Sequence, residues 1–546
     1  MNHAWRLFVA LAAGLAATTA VAQTRPDAGQ SLKDLAPTLV PPKVPPDVKV
    51  EGPATETPGP GGIAVKLEAI RFHGNSVFTA EQLAGELAGA IGRPQDLAGL
   101  RGLAGRITTF YRRAGYPFAR AYLPPQSLQD GTLRIEIIEG RYGRVEAQGD
   151  AKLLAGAKAF LAALHPGDVI EGHSLERATL VLFDQPGIQV SPLIRPGQES
   201  GTGDLLVNVT ERDRVGGDAG IDNDGNRYTG TTRLRLDLEV NGSLAFGDQI
   251  AIRSLYTGRD MWFGSLGYGL PLGGSGLRAQ AAYSHTYYAL GSDFAALHAS
   301  GTANVTSLGF SYPVLRSRDG NLSVSGNLQH KGLLDRQGGV GTDKSSNSIP
   351  LALTFDRRDL LGGSGVSYGS FTWTSGNAKF DPTQRATDAT TARAEGVFHK
   401  AVFDLAHVQA LPQSFAAYGR MAGQWASRNL ESSERFGLGG ANGVRAYPID
   451  EGYGDEGLLA QAELRYSIGD FRPCVFYDEG WAKDHAHPWD QSANRRAIAG
   501  GGLGLHYQHE QWTAEAMLAW RTIGGAPQSD TIDHRPRIWV TAGRRF

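Results

Sequence analysis

The side chains in this sequence best suited to one strong, specific interaction are Arg445 and Asp478. Arg445 lies in Val444-Arg445-Ala446-Tyr447, between a strand that ends near Trp425 and one that starts near Leu458, a connection longer than most loops in compact domains. Such a stretch is either disordered or tied down. A guanidinium offers a planar pair of donors that one carboxylate can accept. Asp478, in Phe476-x-Asp478-x-Gly480, shares strand parity with Cys474 and Phe476, so it could accept from inside a barrel. The plainer alternative leaves Arg445 as a solvated loop charge.

Other chemistry is poorly supported. Gly365-Val366-Ser367-Tyr368-Gly369 matches a nucleophile elbow, but that motif needs a strand-to-helix turn and this serine sits in an alternating strand. Asp222, Asp224 and Asn226 have calcium-loop spacing, yet Arg227 replaces the required glycine and Arg233 the closing glutamate. Cys474 is the only cysteine, which excludes an internal disulfide and a cysteine metal cluster and reads as a small packing residue. No phosphate-cradling Gly-Lys motif is present, and a net charge of −2 gives no nucleic-acid-binding surface. The expectation is therefore no catalytic residue, no cofactor and no metal.

The elements that would position the arginine and aspartate are strands. From about residue 215 the hydrophobic period is two: Leu234, Leu236, Leu238 and Val240 share one face, and Arg233, Arg235, Asp237 and Glu239 the other. A soluble β-sandwich alternates in the same way. Arithmetic favours a membrane barrel: about 330 residues at roughly 20 per strand and connection give about sixteen strands. The chain also closes on a strand ending in Phe546, and 72 glycines among 546 residues suit a strand-rich fold.

Ahead of the barrel, Arg6, the apolar run Leu7 to Ala17 and Ala20-Val21-Ala22 form a cleavable secretory signal. Thr24 to Gly62 is a proline-rich linker in which Leu32, Leu35 and Leu39 could line one short helix. Two units of βααββ order follow, over about 63–143 and 144–214. In the first, Val65, Leu67, Ile70 and Phe72 mark a strand, a helix starts at Thr79 or Ala80, and a second spans Asp96 to Ala114.

Further motifs are Phe72-x-Gly74-Asn75-x-x-Phe78, Gly115-Tyr116-x-x-Ala119-x-Ala121-x-Leu123-Pro124-x-Gln126, Asp222-Asn223-x-Gly225, Gly247-Asp248 and Phe436-Gly-Leu-Gly-Gly440. Together with the two motifs above, they make the sequence resemble the two-partner secretion transporters of the FhaC/ShlB/HecB haemolysin secretion/activation type. The resemblance covers nearly the whole mature chain. It implies a multidomain protein: signal peptide 1–22, linker 23–62 with a short plug helix, POTRA domains at 63–143 and 144–214, and a transmembrane antiparallel β-barrel of about 16 strands at 215–546. Both POTRA domains would be periplasmic and α+β, and the barrel would lie in the outer membrane of a Gram-negative bacterium.

The resemblance further implies that the long loop folds into the barrel, that Arg445 pairs with Asp478, and that Phe546 serves as an insertion signal. Its partners would be a secreted polypeptide with an amino-terminal secretion domain (an adhesin, haemolysin or related exoprotein), outer-membrane lipid and the barrel-assembly machinery, and it would work as a monomer without nucleic acid. Ala446 departs from the usual glycine and would be strained if that position needed a positive φ. The rival readings are a factor that inserts other barrels and, far behind, a barrel enzyme.

Overall fold

The proline-rich segment and the two units after it are best followed in chain order. This computed structural model describes residues 25–33, 35, 39, 42, 49–50, 64–128, 130–259 and 261–546. The expected signal peptide and most of the linker lie outside these residues. What is described of the linker is a six-residue helix, α1 (Ala28–Lys33), and a two-residue strand, β1 (Lys49–Val50). The helix stops short of the Leu32-Leu35-Leu39 spacing. Leu35 N–H turns back three residues to Leu32 O at 3.3 Å.

In the first unit, the stretch read as one strand is two. β2 (Val65–Lys66) pairs with β4 (Pro94–Gln95), and β3 (Ala69–His73) runs parallel to β6 (Thr132–Ile138), with β5 (Arg120–Tyr122) on its far side. The break falls at Leu67, whose side chain is fully buried in the core. Helix α2 (Ala80–Leu87) begins at a Thr79–Gln82 capping box, and α3 (Leu97–Arg113) at Asp96, whose carboxylate accepts Gly99 N–H at 2.8 Å. Leu83, Leu87, Leu103 and Ile107 cover Leu133 and Ile135 of the sheet.

The second unit contains β7 (Arg141–Gly149), α4 (Ala151–Leu161), α5 (Gly172–Phe183), β8 (Ile188–Pro196) and β9 (Thr202–Glu211). Because β7 starts at Arg141, the 143/144 division falls inside a strand. The sheet order is β1-β8-β9-β7, so the linker contributes its outermost strand.

A closed antiparallel barrel of sixteen strands follows, from β10 (Val215–Asp222) to β25 (Arg537–Arg545). In hydrocarbon every backbone N–H and C=O must be paired within the protein, which a closed sheet achieves. Strand lengths are uneven: β10 has 8 residues, whereas β16 (Gly320–Gln337) has 18 and β17 (Val340–Arg358) 19. The seam pairs β10 with β25 through only five register partners. Asn223 lengthens it, its amide donating to Ile538 O at 2.9 Å and accepting Val540 N–H at 2.7 Å. At the other end, Gly217 and Phe546 exchange backbone hydrogen bonds of 3.0 Å.

The turn after β11 (Arg233–Asn241) docks the second unit against the barrel. Phe246 inserts beside Phe160, ring centroids 5.8 Å apart, into a notch that exists because residue 156 is glycine: a Cβ there would lie 2.1 Å from the Phe246 ring. Asp248 shapes the turn by accepting N–H groups of Ser243, Leu244 and Ala245 at 2.8, 2.9 and 3.0 Å and the Tyr268 hydroxyl at 2.9 Å. Burial pushes its pKa up, but these donors outweigh burial and hold the carboxyl below its ordinary range. The turn is therefore favoured above the ordinary carboxylate pKa and loses that support as pH falls through the lowered value. Arg316 adds a bidentate pair with Asp184 at 2.6 and 2.7 Å.

Phe246→Ala should weaken this docking by about 2 kcal/mol. Spin-label distances between α4 and a periplasmic turn would then broaden. An unaltered distribution would place the main restraint elsewhere.

Candidate functional site

Six strands form the wall on which the long loop rests: β20 (Phe415–Ala426), β21 (Glu456–Tyr466), β22 (Phe471–Lys483), β23 (Arg495–His509), β24 (Trp512–Ile523) and β25. The loop spans 427–455 and turns inward. Val444, Arg445, Ala446 and Tyr447 are all buried. Its apolar side chains Phe436, Leu438, Val444 and Tyr447 pack with Leu459, Phe476, Ile498, Met517 and Trp539 of the barrel. Burial of these groups is the nondirectional part of the docking.

The directional part is electrostatic. Arg445 Nε donates to Asp478 Oδ2 at 2.8 Å and Nη2 to Oδ1 at 2.6 Å, a bidentate pair, while its own backbone N–H reaches Oδ2 at 3.1 Å. Nη1 donates to Glu463 Oε1 at 2.5 Å, and Arg465 holds the other Glu463 oxygen at 2.6 Å. The guanidinium lies over the Phe476 ring, 3.6 Å from its centroid. Trp539 Nε1 donates to Arg445 O at 2.7 Å, and Gln461 Nε2 to Gly443 O at 2.9 Å. Two guanidinium and two carboxylate groups thus neutralise each other, with Arg445, Asp478 and Glu463 buried and Arg465 half-buried at the edge of the cluster.

Ala446 is absent from the positive-φ residues, so its backbone needs no glycine. The space for its methyl comes from the wall. A Cβ on Gly500 would stand 2.2 Å from Ala446 Cβ; one on Gly480, 2.4 Å from Leu438; one on Gly457, 2.5 Å from Phe436. Gly480 is therefore a socket in the strand that carries Asp478. Reading the sequence strand by strand missed Glu463, Trp539 and the sockets at Gly457 and Gly500. The Gly500-Gly501-Gly502 run was the available signal.

Helix α1 lies in the same lumen, packed on Tyr228, Met261, Tyr288 and Leu333. Its Ala28 N–H donates to Asp335 at 2.8 Å. Lys344 binds Asp27 at 2.9 Å, Glu431 of the long loop at 3.2 Å and Asp335 at 3.4 Å. Glu434, three residues along the loop, pairs with Lys331 at 2.5 Å and Lys400 at 2.8 Å. The loop thus forms one side of the seat for the helix.

The remaining motif residues shape the first unit and its junction. Phe72 lies in β3 against the core. Gly74 has φ +86°, and a Cβ there would strike Ile137 O. Asn75 Nδ2 donates to Phe78 O at 2.9 Å, and Tyr116 meets the Phe78 ring edge-on. Gly115 O accepts Gly172 N–H at 2.8 Å, joining the two units. Gln126, just after Pro124, both donates to Arg134 O and accepts Arg134 N–H at 2.7 Å, so one side-chain amide continues the sheet.

The decoys fall elsewhere. Ser367 lies in the strand Gly365–Phe380, its hydroxyl 2.8 Å from His407 Nδ1, but the other ring nitrogen faces the Gln409 amide rather than an acid. Arg233 bridges Asp222 and Asp224 at 2.7 and 3.3 Å, taking the place a cation would occupy. Cys474 is buried with Sγ 3.8 Å from His506.

Residues 201–507 match the family described as Haemolysin secretion/activation protein ShlB/FhaC/HecB, and 65–140 match the ShlB-type POTRA domain. The Heme/hemopexin transporter protein HuxB of Haemophilus influenzae (strain 86-028NP) is 27% identical over 477 residues, covering 84% of each chain. The outer membrane transporter CdiB of Dickeya dadantii (strain 3937) is 23% identical over 485 residues, 84% of this chain and 83% of that one. The solved CdiB from Escherichia coli superposes with TM-score 0.74 at 22% identity, over 91% of this chain and 93% of the other.

Arg445→Ala would leave Asp478 and Glu463 buried against Arg465 alone, a loss of about 3–5 kcal/mol in loop docking. Arg445→Lys should recover only part of it, because an ammonium cannot reproduce the two-pronged contact. Protease cleavage within 427–455 reads this directly: wild-type resistance in Arg445→Ala would mean the loop stays seated without the ion pair.

Proposed function

The chain belongs to the haemolysin secretion/activation family ShlB/FhaC/HecB and is an outer-membrane transporter of two-partner secretion, and from that premise we propose that the docked loop is what makes its barrel competent to export. The observation that carries this reading is the quartet of buried Arg445, Asp478 and Glu463 with half-buried Arg465. The pair Arg445–Asp478 fixes Val444 to Tyr447 against the wall, and the fixed loop keeps the lumen lined by polar groups along which an extended polypeptide can slide.

In this reading an unfolded partner first adds a strand to the edge of a POTRA sheet. Main-chain hydrogen bonds supply affinity and side-chain grooves supply selectivity. The outermost strands of the larger sheets are β3 and β5 in the first unit and β1 and β7 in the second. The partner then threads the barrel, and its folding outside makes passage directional without nucleotide. Its cargo is a large exoprotein bearing an amino-terminal secretion domain, and one transporter chain suffices. Phe546 and the seam it closes act in insertion by the barrel-assembly machinery. No catalytic step is assigned: the family is one of transporters, and Ser367 lacks an acid-oriented histidine.

Arg445→Ala and Asp478→Ala should each abolish secretion of the partner polypeptide while leaving a heat-modifiable, membrane-inserted barrel. Wild-type secretion by either variant would remove the pair from the mechanism. Deletion of residues 24–62 should raise single-channel conductance in planar bilayers, since α1 then leaves the lumen; equal conductance would show that the helix does not obstruct the pore.

A further inference from the structure

Side chains from three adjacent strands of the wall converge as a set of soft donors. Register places Cys474 of β22 opposite Gly504 of β23, and Gly504 opposite Met517 of β24. Gly504 has no side chain, so the two sulfurs close over it: a Cβ at this position would stand 2.2 Å from Met517 Sδ and 2.6 Å from Cys474 Sγ. The sulfurs are thus close enough for one ion, at a metal–sulfur distance of about 2.3 Å, to reach both. His506, two residues along β23, brings Nε2 to 3.8 Å from Cys474 Sγ. An ion about 2.3 Å from sulfur and about 2.0 Å from nitrogen spans that gap at a near-trigonal angle. The ring is aimed from behind, where Nδ1 meets Glu515 Oε2 at 2.9 Å. A carboxylate on one ring nitrogen fixes the tautomer that leaves the other free to ligate.

Cys474 and Met517 are buried, whereas the His506 side chain is 25% exposed. It lines a cavity of about 260 Å³ at the periplasmic ends of these strands, with Arg465, Arg472 and Glu515, which gives an ion a route in. We propose that Cys474, His506 and Met517 form a binding site for a monovalent thiophilic ion, Cu(I), with Glu515 orienting the imidazole. Thiolate, thioether and imidazole are donors that suit Cu(I). The cysteine proton leaves to solvent as the ion binds, so thiolate and Cu(I) sum to zero. That sum matters because Arg465 is the strand partner of Cys474. A divalent ion would add a positive charge beside that guanidinium. Glu463 has a carboxylate oxygen within 4.8 Å of the Cys474 and His506 donor atoms, but Arg445 and Arg465 already hold its two oxygens. The bound ion links β22, β23 and β24 through their side chains, one row to the periplasmic side of Glu463. Counting cysteines could not reveal the site, since only one of its three donors is a cysteine and strand register supplies the others.

The test titrates the full-length protein in detergent with Cu(I), without oxygen and against a colorimetric chelator. The chain should retain a single ion, and X-ray absorption at the copper edge should show sulfur together with nitrogen neighbours. Cys474→Ser should weaken binding at least about 100-fold, and Met517→Leu and Glu515→Gln about tenfold each. Heat-modifiable mobility shows which variants still form a barrel, and the near-isosteric Met517→Leu and Glu515→Gln keep the test decisive if Cys474→Ser does not fold. Failure of the wild-type chain to retain Cu(I) would overturn the site, as would wild-type affinity in the folded variants or a copper edge with oxygen and nitrogen neighbours alone. Tighter binding of Zn(II) than of Cu(I) would overturn the assignment to a monovalent ion.

Discussion

Charge cancellation inside the barrel wall is what the arrangement of the lumen depends on. Arg445 and Arg465 against Asp478 and Glu463 sum to zero in a place where a single unpaired charge would be costly. With that quartet complete, the 427–455 loop has one position, and its apolar side chains fill the wall's hollows. The same loop then presents Glu431 towards α1, while Glu434 is held by Lys331 and Lys400. The two occupants of the lumen are thereby stacked: the loop rests on the wall, and the helix rests partly on the loop.

The periplasmic side is built on a different physical basis. The second POTRA unit is held by the fit of Phe246 into the notch at Gly156, with Asp248 shaping the turn and Arg316 bracing Asp184. These contacts join the unit to the first few strands, next to the seam where β10 meets β25 through five register partners. The domain that would receive a partner and the least extensively paired part of the barrel are thus neighbours.

Much of this was legible in the sequence because period and punctuation are local. Thr79 or Ala80, and Asp96, were legible as helix starts, and Leu234 to Val240 as a strand with one apolar face. Arg445 and Asp478 were visible as a motif pair. What stayed hidden depends on partners distant in sequence. Leu67 breaks a strand because the backbone at Gly92 and Arg93 meets it. Glu463 looked like one more lumen charge until the loop brought Arg445 to it. The departure at Ala446 was unreadable because its explanation is Gly500, fifty-four positions later, on another strand.

Those wall glycines give the loop and the barrel a shared history. Gly457, Gly480 and Gly500 are empty places shaped to Phe436, Leu438 and Ala446, so neither surface can drift alone. A loop grafted from a relative with bulkier residues at these points would collide with its new wall, however well its arginine found the aspartate. Exchange of loops between such transporters would have to carry the matching glycines with it, which makes the six-strand wall and its loop, rather than the loop alone, the unit of inheritance.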